Sequence, residues 1–331
     1  MKKNLPIGIT MGDAAGIGPE ILIQTYTQGL INKYSVVYGN VEILRYAANL
    51  LKSKIRIVSF NNIDEVEFQE DTIGVIECES VMPKKFLPGK VNPLIGKASF
   101  NYVKEAIMDA LKCRIRAIVT APLNKESMHK AGVQYPGHTE IFAKYTNTKK
   151  YAMLLSNRMI RVLLVTIHIP LSKVAETITL NKELSAIEMA NNACIQLGIK
   201  HPKVAIAALN PHASEGGKFG IEESKFILPA IRLAQKKGIN ATGPWPSDTV
   251  FMKAHQGDFD IVVAQYHDQG LIPIKYLGLN HGVNITIGLP FVRTSVDHGT
   301  AFDIAWQGKA NPESFIEAYN LALLMTSKDS Y

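Results

Sequence analysis

A chain of 331 residues, 47% hydrophobic and 20% charged, has an ordinary globular composition and is too long for one core, so two lobes with a cleft between them are expected. No apolar run approaches the roughly 18 residues that span a bilayer. The net charge of +7 is spread over isolated Lys-Lys pairs, which argues against a nucleic-acid surface and for a solvated one that steers small anions.

The three cysteines, Cys78, Cys113 and Cys194, are scattered and form no C-x-x-C pair, as expected of reduced thiols in a cytoplasmic protein. The amino terminus MKKNLPIGIT lacks the apolar core of a signal peptide and reads as the start of a strand. Strand-like Ile7–Met11 leads into GDAAGIGPE (Gly12 to Glu20) and a helix, with Pro19 suited to the first helical turn. Gly16 and Gly18 leave two readings open, a tight strand-to-helix turn or a loop whose amides approach a phosphate, because the G-x-G-x-x-G spacing is not met.

Further βα units follow at Ser35–Gly39 with a helix from Val41, at Ile55–Ser59 and at Thr72–Glu77. A Pro- and Gly-rich loop covers Pro83 to Pro93. Lys97–Cys113 reads as a helix with Val103, Ala106, Ile107, Ala110 and Leu111 on one apolar face, and Ala117–Thr120 as a short buried strand. Such alternation predicts an α/β fold with mostly parallel sheets and helices on both faces. TAPLNKESMHKAG (Thr120 to Gly132) is a strand-to-helix junction, and YPGHTE presents His138 and Thr139 at a helix start, where Thr139 has the chemistry of a cap. Tyr151–Ser156 and Met159–Thr166 predict an antiparallel strand pair around a tight turn in the second lobe. Helices from Pro170 and Asn181, a strand Val204–Ala208, a helix Ile221 to Lys237, a turn PWPSDTVF carrying Asp248 and a terminal helix Ser314 to Met325 complete the pattern.

The densest chemistry lies between Asp260 and Arg293. A buried-strand run, Ile261 to Ala264, stops at Gln265, Tyr266, His267 and Asp268, and Lys275, Asn284 and Arg293 follow among glycines. Polar side chains just past the carboxyl end of a strand face the ligand crevice of an open α/β sheet, so this set suits an anionic ligand beside a metal. Two other strand-like runs also end in histidine, at His168 and His212. Three imidazoles with open coordination positions make a catalytic site for Zn, Co, Ni or Mn in preference to Mg. Asp248 reads equally as a capping residue or as a group that orients a ligand or relays a proton.

Over nearly its whole length the chain resembles the 4-hydroxythreonine-4-phosphate dehydrogenase (PdxA) family, through MGDAAGIGPE, VTAPLNK, YPGHTE, the three histidine strand ends, PSDT, YHDQGLIPIK and GVNITIGLPFVRTSVDHGTAFDIA. The resemblance implies metal ligands at His168, His212 and His267, and substrate contacts at His138, Thr139, Lys275, Asn284 and Arg293. More distantly, GIGPE and HGTAFDIAWQGKANP look like the paired cofactor loops of isocitrate and isopropylmalate dehydrogenases. That likeness implies a two-lobed α/β/α subunit with the active site in the interdomain cleft, a first domain of 1–137 with 300–331, a second of 138–299, and NAD or NADP held by Gly16, Gly18, His298, Gly299, Thr300 and Asp303. An acidic Asp303 beside the adenosine ribose implies NAD over NADP, although capping of the following turn is the other reading of that residue. Ala14 departs from the family's usual proline, and Trp306-Gln307 from its typical Gly-Lys.

The activity so implied is metal-dependent oxidation and decarboxylation of 4-phosphooxy-L-threonine to 3-amino-2-oxopropyl phosphate in pyridoxal phosphate biosynthesis, by a cytoplasmic homodimer. The rival on the same scaffold is D-threonate or D-erythronate 4-phosphate dehydrogenation, since TAPLNKESMHKAGVQYPGHTE looks somewhat like that branch. From other classes, a metal hydrolase or aldolase needs no nicotinamide, and a metal-dependent anion-binding module needs no chemistry.

Overall fold

The computed structural model describes residues 5–78, 86–278 and 281–327. By internal contacts the chain forms one unit from Met1–Lys149 with Leu289–Thr326 and a second built on Lys150–Gly288. Relative to the expected boundaries, residues 138–149 and 289–299 fall in the first unit. They do so because the helix beginning at His138 packs on the long helix from Pro93, and the strand containing Arg293 pairs with Ala117–Thr120.

In the first unit the strands are β1 (Ile7–Thr10), β2 (Ser35–Gly39), β3 (Arg56–Phe60), β4 (Thr72–Glu77), β5 (Ala117–Thr120) and β12 (Val292–Val296), in the spatial order β3-β4-β2-β1-β5-β12. Every pairing in that run is parallel. The central strands are fully buried, as expected of apolar runs covered by helices on both faces. Register places Tyr38, Thr10, Thr120 and Ser295 side by side, a polar row across the carboxyl ends of β2, β1, β5 and β12. The helices are α1 (Gly18–Thr27), α2 (Val41–Leu50), α3 (Pro93–Leu111), α4 (Lys125–Lys130), α5 (His138–Tyr145) and α11 (Glu313–Met325). Asparagines 40, 92 and 124 accept from backbone N–H groups at the starts of α2, α3 and α4, which fixes where those helices begin. The apolar face expected on α3 is buried except for Leu111, the last residue of the helix, which is 41% exposed.

The second unit contains β6 (Ala152–Ser156), β7 (Arg161–Leu164), β8 (Val204–Ala207), β9 (Ala241–Trp245), β10 (Ile261–Ala264) and β11 (Val283–Ile287), ordered β11-β6-β7-β10-β8-β9. The expected antiparallel hairpin is β6–β7, and β11 adds a further antiparallel neighbour to β6. The pairs β7–β10, β10–β8 and β8–β9 are parallel. Its helices are α6 (Val174–Thr177), α7 (Leu180–Gln196), α8 (Leu228–Lys236), α9 (Val250–His255) and α10 (His267–Leu277). The helix expected over Ile221 to Lys237 is interrupted, with a π-turn at Glu223–Ile227 feeding α8. Of the loop expected over Pro83 to Pro93, residues 83–85 lie outside the described residues, and Pro93 already belongs to α3. No helix among the described residues is long and apolar enough to cross a membrane.

Candidate active site

Beyond the carboxyl ends of β5 and β12 lies a cavity of about 170 Å³ lined by Thr120, Ala121, Pro122, Leu123, Lys125, Gly137, His138, Ser295, Val296, His298 and Gly299. It takes one wall from the loop into α4, one from the start of α5 and one from the loop after β12. The α5 start has Gly137 as its N-cap residue and no side-chain cap, so its first N–H groups and the positive end of the helix dipole remain available to a ligand. This corrects the reading of Thr139 as a cap, for Thr139 is buried within the first turn.

Arg293 on β12 is the largest fully buried side chain, and its Nη2 donates to Thr120 Oγ1 at 2.7 Å. Its guanidinium carbon lies 5.3 Å from the centre of the Phe142 ring, a cation–π distance. It is absent from the cavity wall and sits behind Thr120. Burial pulls its pKa down to about 9, against the favourable charge of Glu140. Burial, with the positive charges of Arg293 and Lys125, also holds His138 well below the ordinary imidazole value, so that ring is neutral at neutral pH. Its Nε2 is buried without a hydrogen-bond partner. A small, partly enclosed, positively biased cavity with a neutral imidazole and two hydroxyls suits an anionic group. Lys125, Thr120 and Ser295 were not singled out from sequence. Their signal is the one that marked the histidines, polar residues at or just past the end of a buried apolar run.

The two loops expected to hold a cofactor pack on each other within this unit. Ile17 N donates to Thr300 O at 3.1 Å, and a Cβ on Gly16 would meet both Thr300 Cβ and Thr300 O at 2.8 Å. A Cβ on Gly18 would meet Met11 O at 2.3 Å, so both glycines serve close backbone packing, whatever else they contact. His298 and Gly299 line the same cavity as His138. Asp303 is exposed, and its carbonyl accepts from Gln307 Nε2 at 2.9 Å. The two departures from the family pattern touch each other, since Trp306 Nε1 donates to Ala14 O at 2.9 Å. Trp306 has φ of 61°, in the left-handed region that glycine occupies without strain. Its backbone N–H and that of Gly308 are both taken by the buried Glu20 carboxylate, at 2.5 and 2.7 Å, and its ring packs against Tyr46 and Phe86.

In the second unit His168 stands four residues past β7, His212 five past β8, and His267 opens α10 three past β10. The rings of His168 and His267 have centroids 5.8 Å apart. His267 Nδ1 lies 2.7 Å from Asp268 Oδ1, which places its proton on Nδ1 and leaves Nε2 as the lone-pair donor, the arrangement common for a metal-bound imidazole. These two side chains therefore fit a divalent cation. His212 is exposed and packs against Phe219 at 6.5 Å between centroids. Among the described residues no group of three or more His, Cys, Asp or Glu side chains is gathered in a metal-binding arrangement. The turn carrying His212 is unusual, because His212, Ala213, Ser214, Glu215 and Gly216 all have φ between 44° and 71°. Left-handed backbone costs an L-residue roughly 1–2 kcal/mol and concentrates at functional sites. The turn is anchored from below by the buried Glu223 carboxylate, which accepts from Leu209 N, Asn210 N and Asn210 Nδ2 at 2.7 to 2.9 Å.

Of the other residues named from sequence, Lys275 lies in the last turn of α10 and Asn284 on β11, both half-buried. Asp248 is exposed in the turn before α9, whose N-cap residue is Thr249. Here the structure does not support a capping role for Asp248.

The family model described as pyridoxal phosphate biosynthetic protein PdxA matches residues 32–322. A 4-hydroxythreonine-4-phosphate dehydrogenase of Beijerinckia indica is 45% identical, over 96% of this chain and 94% of its own length. A D-threonate 4-phosphate dehydrogenase of Pectobacterium atrosepticum is 44% identical, over 96% and 98%. The crystal structure of a 4-hydroxythreonine-4-phosphate dehydrogenase from Klebsiella pneumoniae superposes with a TM-score of 0.89 at 43% identity, covering 98% of this chain and 99% of that one.

Proposed function

The chain belongs to the PdxA family, and from that premise we propose that it is a nicotinamide-dependent dehydrogenase of a 4-phosphorylated 3-hydroxy acid. The observation that carries this reading is the positively biased cavity at the ends of β5 and β12, which suits the phosphate or carboxylate of such a substrate. The secondary alcohol loses a hydride to the nicotinamide and a proton to a base, and the resulting β-keto acid loses CO₂. Lys125 and the amides at the start of α5 hold the anionic end, with the charge of Arg293 acting from behind Thr120 and with Thr139, Lys275 and Asn284 as further substrate contacts. Neutral His138 accepts or donates a hydrogen bond without adding charge.

His168, His212 and His267 would hold a divalent cation, which supplies Lewis acidity that lowers the pKa of the alcohol. His298, Gly299, Thr300 and Asp303 would face the nicotinamide nucleotide, and the exposed carboxylate of Asp303 favours a ribose hydroxyl over a 2′-phosphate, hence NAD over NADP. The same reading takes the enzyme as a homodimer.

Two substrates share the required chemistry. 4-Phosphooxy-L-threonine carries an ammonium beside the reacting carbon, whereas D-threonate 4-phosphate carries a hydroxyl there. Burial first, and then the field of Arg293 and Lys125, keeps His138 unprotonated, and the same surroundings would oppose an ammonium brought beside it. That observation favours the hydroxy acid, in keeping with the relative from Pectobacterium. A panel of phosphorylated hydroxythreonine, D-threonate and D-erythronate, each with NAD and NADP, decides the matter through the absorbance of reduced nicotinamide. The expected result is turnover with NAD and a kcat/KM preference for a hydroxy acid. Reduction of neither nucleotide by any of the three would contradict the dehydrogenase assignment.

A further inference from the structure

A glutamate at the third position of a helix ordinarily bonds the N–H of the residue that opens it, satisfying a donor that the helix leaves over. Glu20 holds that position in α1, and α1 has no side-chain cap. Both halves of the expected pair are turned instead toward the segment after β12. Ile17 N, at the helix start, donates to Thr300 O at 3.1 Å. The Glu20 carboxylate, fully buried, accepts from Trp306 N through Oε2 at 2.5 Å and from Gly308 N through Oε1 at 2.7 Å, 286 and 288 residues away in the sequence.

Residues 300–308 therefore form an arch with both feet on the first turn of α1. Inside it, Ile304 N donates to Ala301 O at 3.1 Å and Gln307 Nε2 to Asp303 O at 2.9 Å. Ala301 and Trp306 have φ of 44° and 61°, a left-handed path that L-residues keep only where their surroundings enforce it. A buried carboxylate bonded to two backbone N–H groups is such an enforcement, because losing either bond leaves a group without the water it gave up on folding. Asp303 is exposed on the arch, and just ahead of it His298 lines the cavity with an Nε2 buried without a partner. Both side chains suit the hydroxyl and amide donors of a nucleotide.

We propose that Glu20 is a positioning residue whose carboxylate holds the arch in its left-handed path and so sets where Asp303 meets the nucleotide ribose. The proposal rests on the reading of the arch as the ribose-binding segment. It goes further by making a residue buried beneath the arch a determinant of nucleotide choice.

The test uses the full-length protein in a Trp245→Phe background, where Trp306 is the remaining tryptophan and its emission reports on the arch. Calorimetric titrations with NAD and with NADP report on the ligand, and melting temperatures are measured in parallel. Glu20→Gln keeps the size of the side chain but turns an amide donor toward one of the two backbone donors. Glu20→Asp keeps the charge, withdraws it by one methylene, and decides the question if the glutamine variant does not fold. The parent binds NAD more tightly than NADP. Glu20→Gln shifts Trp306 emission to longer wavelength and weakens NAD about tenfold but NADP only about twofold, and Glu20→Asp does the same to a lesser degree. Asp303→Asn narrows the nucleotide preference in the parent and changes it little once Glu20→Gln is present, since the two act on one contact.

An unchanged preference in both Glu20 variants, whatever the emission shows, overturns the positioning role and leaves the ribose reading standing. Equal weakening of both nucleotides in step with the melting temperature also overturns it, by reducing Glu20 to ordinary stability. A parent that binds neither nucleotide, or binds both equally, removes the reading of the arch and the proposal with it.

Discussion

In the first unit the groups proposed to bind an anion rise from parallel strands and a helix start, with Arg293 and Thr139 buried, whereas in the second His168 and His212 stand exposed on turns beyond the strand ends. The first arrangement is complete in the folded chain. Its cost lies in burying Arg293, whose guanidinium is shut from solvent against Thr120 and whose pKa burial pulls down to about 9. The second is only partly gathered: two imidazoles are close, while the third sits on a left-handed turn against Phe219. The contrast teaches that a charge site can be preformed by desolvation alone, while a site for a cation brings together lone pairs that gain nothing from one another until the cation is there.

If the anion cavity is preformed, removing the buried charge behind its wall should have the largest effect. Arg293→Met is expected to lower kcat/KM for the phosphorylated substrate about 100-fold or more, chiefly through KM, because truncating a buried, hydrogen-bonded charge costs 2–5 kcal/mol or more. Lys125→Met, which leaves the core intact, should cost about tenfold and serves if the Arg293 variant is unstable. Steady-state kinetics with both would break the contrast if KM stayed at the wild-type value.

A smaller effect is expected at Trp306. Replacement by glycine relieves the positive φ but removes the bond to Ala14 O and the ring contacts with Tyr46 and Phe86. The lost bond and ring contacts outweigh the relieved strain by about 1 kcal/mol, so KM for NAD should rise about fivefold with kcat little changed. Trp306→Phe, which keeps a ring without the donor, should fall between. An unchanged KM for NAD in both variants would show that this loop is not stiffened by its tryptophan.

The smallest effect, on stability alone, belongs to the second unit. Burial pushes the Glu183 carboxyl up to about 8, from an ordinary 4.5. Below about pH 4.5 the folded and unfolded chains both hold this proton. As pH rises from there to about 8, the unfolded chain releases it first, so folding is progressively disfavoured. Glu183→Gln abolishes that slope. Its melting temperature should exceed that of the wild type by about 5 °C near pH 8, with the gap closing toward pH 5. A gap independent of pH would remove Glu183 as its source.

Much of the scaffold was legible because buried parallel strands are continuous apolar runs, as Thr72–Glu77 and Ala117–Thr120 show, and because a polar residue ending such a run marks a strand's carboxyl end. That rule located His168 and His267. It applied equally to Thr120 and Lys125, which passed unnoticed because lysine after a strand is also an ordinary surface residue. Pairing across long sequence distances was not legible. Assignment of Arg293 to the first unit depends on β12 pairing with β5, which no local pattern announces. The buried side chain of Gln265 finds its partner in a carbonyl of β8, 58 residues away in the sequence. Leu111 departs from expectation for a simpler reason: it is the last residue of its helix, where a side chain's exposure is not set by the apolar face alone.

The most direct test is NAD reduction by the full-length enzyme with a phosphorylated hydroxy acid before chelation, after chelation, and after readdition of a divalent cation. The result expected is turnover that disappears with the cation and returns with it, and that is absent from folded His168→Ala, His212→Ala and His267→Ala proteins. Near-normal turnover by a well-folded, chelated His212→Ala enzyme would contradict the account.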